Sequence, residues 1–209
     1  MSGVAIIGAG GHGRVVASVL QAANREVAGF IDSGVTGELP LPLLGQDKDI
    51  PKLITAGTID SFIIGLGSVR GGPSIRAKLF EKMIGFGLTP AVVIHPMAIL
   101  SLGVKIGAGT IVMAGAIINT GTSTGNNCII NTGAIIDHDG DIGNNVHIAP
   151  GVTCSGNVTV GADSLVGVGS TIREGISVGE SVTIGAGSVV ISDIADGATA
   201  YGNPAHVQG

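Results

Sequence analysis

Aromatic residues are nearly absent from this chain, with no Trp, one Tyr and four Phe among 209 residues. A globular core normally leans on aromatic side chains for buried area. Their scarcity excludes a core of that kind and suits one stacked from Ile, Val and Ala. Charge is also scarce. Charged residues make up 12% and the net charge is −5, so neither a nucleic acid nor an anionic membrane surface is an expected partner. There are two cysteines, Cys128 and Cys154. They give no disulfide framework, and a reducing cytoplasm is the expected compartment. No signal-peptide apolar region stands behind a basic N-terminus, and no apolar run reaches membrane length, so membrane insertion is not expected.

What is abundant is glycine, with 37 residues, together with small aliphatic side chains. From Leu100 to Val190 every sixth residue falls into one apolar phase: Leu100, Ile106, Val112, Ile118 and onward to Ile184 and Val190, with only Thr124 and Cys154 departing from Leu, Ile or Val. A hexad period is the signature of a parallel β-helix, each hexad being one short strand and a turn. Glycine follows the apolar position at 107, 125, 143, 161 and 179. The spacing of 18 makes three hexads one coil and predicts a triangular prism of about five coils. Glycine at a repeated corner suggests a turn with positive φ. Cys154 falls on an inward position and reads as a small core hydrophobe. Chemistry in such a prism has to come from outward residues that break the pattern.

Residues 1–94 follow a different grammar. Val4–Ile7 reads as a strand, Gly8–Gly13 as a turn, and Arg14–Ala23 as a helix with Val15, Val16, Val19 and Leu20 at helical spacing. Strands are expected at Val27–Ile31, Ser61–Ile64 and Ala91–Ile94, and helices at Asp47–Ala56 and Ser74–Ile84. This alternation predicts a parallel, doubly wound sheet. His95-Pro96 is the expected hinge into a second domain, 95–209, whose last residues, Ala200–Gly209, form a terminal extension.

Gly8-Ala-Gly10-Gly11-His12-Gly13 fits G-x-G-x-x-G between a strand and a helix, and Asp32 follows nineteen residues later. That is the dinucleotide fingerprint, with an acid placed for a ribose hydroxyl. The αβ half is too short for the two βαβαβ halves of a full dinucleotide fold. A mononucleotide group bound at the helix N-terminus is therefore preferred to a nicotinamide site or to a bare tight turn. His12 adds a donor beside the phosphate, or else is solvated surface.

In the repeat, Asp137-His138-Asp139 interrupts an apolar stretch. An imidazole flanked by carboxylates is a candidate general base, since a carboxylate fixes its tautomer and stabilises the imidazolium. The alternative is a charged solvent-facing turn. His147 lies half a coil on, roughly 15 Å away for strands rising about 3.3 Å per residue. Both histidines can share a site only if prisms pack side by side. Ala114 and Ala116 are candidates for such a packing face. Two separated histidines with no Cys/His cluster form no metal set.

These pieces, with Ile64-Gly-Leu-Gly67, Ile130-Asn131-Thr-Gly133, Cys154-Ser-Gly-Asn157 and Gly202-Asn-Pro-Ala205, resemble the bacterial sugar O-acyltransferase and nucleotide-aminosugar N-acetyltransferase family, the sialic acid O-acetyltransferase-like hexapeptide-repeat transferases. The resemblance runs nearly end to end. It implies an N-terminal Rossmann-like domain and a left-handed parallel β-helix, a homotrimer, and acetyl-CoA bound between neighbouring prisms. It implies that His138, oriented by Asp139, is the base. It places His147, Asn131, Gly156, Val168 and Ala186 against acetyl-CoA, and Gly10, Gly11, His12, Asp32 and Gly67 against the nucleotide sugar. The chain departs from relatives at Ser33, where some carry a second acid, and in a longer loop, Ser68–Pro73. Lys105 and Arg173 are the only strong bases after Pro96, so CoA phosphates are expected to lie largely in solvent.

The expected activity is acetyl transfer from acetyl-CoA to the amino group of a nucleotide-linked sugar, in surface-glycan biosynthesis. The first alternative is O-acetylation of sialic acid or another free sugar. A non-catalytic solenoid would need a ladder of repeated polar residues, which Thr122 and Thr124 do not provide.

Overall fold

The structure is a computed structural model that describes residues 2–34, 37–67 and 75–208. The Ser68–Pro73 loop lies outside the described residues. The αβ half contains β1 (Gly3–Ile7), α1 (Gly11–Ala22), β2 (Val27–Ile31), β3 (Leu43–Gly45), α2 (Ile50–Thr55), β4 (Ile59–Ile64), α3 (Ile75–Gly85) and β5 (Thr89–Pro90). They form one parallel sheet in the order β3-β2-β1-β4-β5. β1 is buried along its whole length, which is why it reads as an unbroken apolar run rather than an alternation. The glycines of the first turn answer to crowding. A Cβ on Gly13 would stand 2.1 Å from the Gly8 carbonyl oxygen, and one on Gly65 would stand 2.5 Å from the same atom. Strand, turn and helix can cross this closely only without side chains.

The strand expected at Ala91–Ile94 divides. Thr89–Pro90 closes the αβ sheet, whereas β6 (Val93–Ile94) pairs with Ile111–Val112 and is already the first rung of the prism. From Val93–Ile94 to Val189–Val190 each rung of the prism is two residues long and pairs in parallel with the rung 18 residues away. Three faces result, carrying eight, six and five strands. The first face runs from β6 through Ile111–Val112, Ile129–Ile130, His147–Ile148, Leu165–Val166 and Thr183–Ile184 to Thr199–Gly202. The predicted inward phase is the one observed. From Val112 to Val190 every hexad residue is buried, Cys154 among them, and Leu100 and Ile106 are partly buried at the open end.

Two readings of the repeat are corrected. The glycines at 107, 125, 143, 161 and 179 do not have positive φ. The left-handed conformation falls two residues later, at Gly109, Asn127, Asn145, Asp163 and Ser181. The first glycine of each corner is required by stacking, because a Cβ on Gly107 would lie 2.1 Å from the Gly125 carbonyl oxygen and one on Gly143 would lie 2.7 Å from Ala162 N. The left-handed residues add a polar ladder along one edge. Asn127 Nδ2 donates to Asn145 Oδ1, and Asn145 Nδ2 donates to Asp163 Oδ1. Asn is among the few residues that occupy this conformation at low cost. The second correction concerns Ala116, which packs inside the prism core and so is not part of an outer face.

The two halves join through α1. Val16, Ala17, Val19 and Leu20 form one buried cluster with Val93, Ile111, Met113 and Ile129 of the first prism face. The outward column of that face is thus covered at Ile111 and Ile129 and half-buried from His147 through Leu165 and Thr183 to Thr199. The residues after Thr199 fold back, Ala205–Val207 pairing antiparallel with Thr199–Gly202, where the sequence suggested only an extension.

Candidate active site

The β1–α1 turn opens onto a pocket of about 330 Å³ lined by Gly8, Gly10, Gly11, His12, Asp32, Gly65, Leu66 and Gly67. All five residues expected to hold the nucleotide sugar therefore meet in one place. Gly10 is the extended N-cap of α1 and no side chain caps the helix, so the first-turn N–H groups remain directed at the pocket. Asp32, at the end of β2, accepts from Ala9 N and Gly34 N, each at 2.8 Å. Its carboxylate thereby ties the glycine turn to the neighbouring strand. A further cavity, which includes Ile31, Ser33, Asp47 and Leu79, shares Gly8, Asp32 and Leu66 with this pocket, so the depression runs past Asp32 along the strand ends.

His12 is not a solvated surface residue. Burial, and then the nearby Arg76 charge, push its imidazole down to about 4, and its Nε2 is buried without a partner. It is a neutral ring at neutral pH.

His147 stands on the outward column where the cover of α1 ends. Asn131 Nδ2 approaches its Nε2 at 3.1 Å, and Asn131 Oδ1 accepts from Thr132 N. The amide orientation makes Nε2 the acceptor. Burial first, then His12 and Arg76, push His147 to about 4, so the ring is neutral and its proton is on Nδ1. His147 heads a groove of about 700 Å³ that continues over Ala149, Gly167, Val168, Gly185 and Ala186 to Tyr201. Val168 and Ala186 share it with His147, whereas Asn131 does not line it and touches His147 from behind. The groove is apolar and its floor is shaped by glycine. A Cβ on Gly185 would meet that of Tyr201 at 2.6 Å, and one on Gly167 would meet Ala186 N at 2.6 Å.

His138 lies elsewhere, at the corner after Ile135–Ile136, one face away from the groove. Its Nδ1 is 2.9 Å from Asp139 Oδ2. Asp137 serves differently, its Oδ1 accepting from His138 N and from Asn119 Nδ2. Asp139 therefore orients the ring and Asp137 fixes the backbone beneath it. The hydrogen bond to Asp139 raises the His138 pKa above its ordinary value. Gly156 does not line the groove with Val168 and Ala186. It sits one coil from His138, where a Cβ would come within 2.4 Å of the imidazole Nε2.

One polar residue of this region escaped the sequence reading. Arg76, from α3, is 1% exposed and reaches both halves. It donates to Ile64 O at 3.0 Å and Leu66 O at 2.7 Å in the αβ half, and to Asn127 O at 3.2 Å in the prism. No motif marks it, because its role depends on which helix face meets the prism.

Residues 3–83 match the family described as the PglD N-terminal domain. A curated relative, UDP-N-acetylbacillosamine N-acetyltransferase of Bacillus subtilis (strain 168), is 38% identical over 118 residues, which is 54% of this chain. The match spans about half, 52%, of that protein's length. The acetyltransferase domain of PglB from Neisseria gonorrhoeae FA1090, solved alone and in complex with acetyl coenzyme A, is 36% identical over 98% of both chains, with a TM-score of 0.91. PerB from Caulobacter crescentus, solved with CoA and GDP-perosamine, is 37% identical over 100% of this chain and 98% of its own, with a TM-score of 0.92. The same perosamine N-acetyltransferase has been solved with a histidine replaced by asparagine. The fold they share is a Rossmann-like domain on a left-handed parallel β-helix. With more than a third of its residues identical across nearly the full length of these enzymes, the chain belongs to the bacterial nucleotide-aminosugar N-acetyltransferase family.

Proposed function

We propose that this chain moves the acetyl group of acetyl-CoA to the amino group of a nucleotide-linked amino sugar, in bacterial surface-glycan biosynthesis in the cytoplasm. The observation that carries the reading is the His138 imidazole, held by Asp139 through Nδ1 while Nε2 faces the bare backbone of Gly156. A base needs its free nitrogen within reach of the proton it removes, and the missing Gly156 side chain lets the ring lie there while it stays bonded to Asp139. The groove below His147 suits the pantetheine arm, since a long apolar channel floored by glycine admits a slender chain. Acetyl-CoA supplies the activated acetyl group.

The protein's own residues then do three things. The glycine pocket and Asp32 hold the nucleotide. His138 Nε2 accepts the proton of the amine as the amine nitrogen bonds the acetyl carbon, Asp139 stabilises the imidazolium, and the proton then leaves with the CoA thiol as the thioester C–S bond breaks. Backbone N–H groups near Gly156 donate to the oxygen that gains negative charge. Because His138 and the groove lie at different edges of one prism, the complete site draws on two chains, and a homotrimer with three shared sites satisfies every copy. The same base would serve O-acetylation of a free sugar, but a free sugar has no use for the glycine pocket.

A thiol-release assay tests the reading. Acetyl-CoA would be offered with UDP-, GDP- and dTDP-4-amino sugars and with free sialic acid. Turnover is expected with one of the nucleotide sugars. Turnover with sialic acid alone would establish the O-acetyl alternative.

A further inference from the structure

No Lys or Arg is among the described residues that line the glycine pocket, and Asp32 brings a carboxylate to it. Among these described residues a diphosphate would thus find helix N–H groups but no cation. A cation stands behind the wall. Arg76 is fully buried, and among the described residues its guanidinium donates to the carbonyls of Ile64, Leu66 and Asn127. Leu66 is itself part of the pocket wall. Among the described residues the ion pairs are Lys82–Asp47 and His138–Asp139, so Arg76 has no carboxylate partner. The nearby thiol gives no counter-charge, because burial pushes Cys128 up to about 11. Burial lowers Arg76 itself only to about 10, and it stays charged. Its Nη2 has no partner. Its field reaches both His12 in the pocket and His147 at the head of the groove.

A buried charge without a counter-ion is costly. A fold that keeps one is short of an anion. We propose that Arg76 is the cation that binds the diphosphate of the nucleotide ligand, acting through the wall of the glycine pocket, so that the ligand supplies the counter-charge the protein lacks. This rests on the nucleotide-sugar reading of that pocket. Carbonyls of β4 and of the prism fix the guanidinium in place, so its field is in position before the ligand arrives. A charge set in a low-dielectric wall is also screened by salt far less than a surface lysine.

Titration calorimetry with UDP and GDP, their nucleosides and inorganic pyrophosphate tests this in the intact protein. Arg76→Met is expected to weaken the better nucleoside diphosphate by at least about tenfold, the scale of a charge–charge attraction across a partly buried wall. The affinity for the corresponding nucleoside should be unchanged. Arg76→Lys, which keeps the charge but not the fork, should retain most of the diphosphate affinity. Equal losses for diphosphate and nucleoside, or for Met and Lys variants, would reduce Arg76 to a packing role and overturn the inference. Should Arg76→Met not fold, the wild type decides. Its diphosphate affinity should fall only a few-fold between 50 mM and 500 mM salt, on the order expected for a buried charge, and a steep fall would overturn the inference. If neither nucleotide binds, the nucleotide-sugar reading fails by itself. Pyrophosphate binding with the same shallow salt dependence would then sustain the role of Arg76, and no pyrophosphate binding would overturn it.

Discussion

The ring of His138 lies against the backbone of Gly156, one coil away, so closely that a single added carbon would stand 2.4 Å from Nε2. Gly156 does not have positive φ, so its backbone accepts any residue and only the imidazole objects. Gly156→Ala should therefore leave the melting temperature within about 2 °C of wild type, the scale of a surface substitution. The ring would have to swing off Asp139, and kcat should fall by about 10²-fold, the cost of a misplaced catalytic group. An alanine variant with full kcat would remove Gly156 from the site.

His138→Ala should lower kcat by about 10²–10⁴-fold, the usual contribution of a positioned base. The base works only when neutral, so kcat/KM of the free enzyme should rise with pH as His138 deprotonates. The hydrogen bond to Asp139 is the first cause of its raised pKa. Asp139→Asn should move the acidic limb of the profile to lower pH while reducing the plateau. A limb that stays in place would mean that Asp139 does not govern the titration.

His12 and His147 are both pushed down to about 4 from an ordinary 6.5. Between those values the unfolded chain takes up protons that the folded chain refuses. Stability should thus be fully present above about pH 6.5 and decline as pH falls toward 4. Thermal unfolding followed at pH 7 and pH 5 should show a drop in melting temperature, and His12→Gln should lessen it. An unchanged drop in that variant would place the acid sensitivity elsewhere.

Subunit mixing tests the shared site. His138→Ala and His147→Ala proteins, each inactive alone, should regain part of the wild-type activity when unfolded together and refolded. Some mixed interfaces would then pair an intact His138 with an intact His147. Mixed assemblies without activity, or a fully active monomer in sedimentation, would rule out a site built from two chains.

The hexad register was legible because a two-residue rung has one inward position and nothing else competes to fill it. The glycine pocket was legible for a related reason, since close crossing of strand and helix admits few side chains. Other features were hidden because they belong to stacking between coils. Gly107 and Gly143 look like turn residues in one dimension and are contact residues in three. The Asn127–Asn145–Asp163 ladder shows its period of 18 in the sequence, yet its partners appear only once the coils are aligned. Val93–Ile94 reads as the last strand of the αβ sheet, and only its pairing with Ile111–Val112 shows that the prism has already begun. Arg76 carries no signal at all, for a lone arginine on an amphipathic helix is ordinarily surface.

The backward turn at Thr199–Gly202 has a consequence for solubility. Parallel rungs leave an unpaired row of N–H and C=O groups wherever the stack stops, and such a row is a template for the next strand from any source, another molecule included. On the longest face Ala205–Val207 occupies that row in the antiparallel sense, which a further hexad in the parallel register cannot continue. Three residues thereby end the parallel register of the longest face and leave an edge only three residues long, a poor template for a further coil.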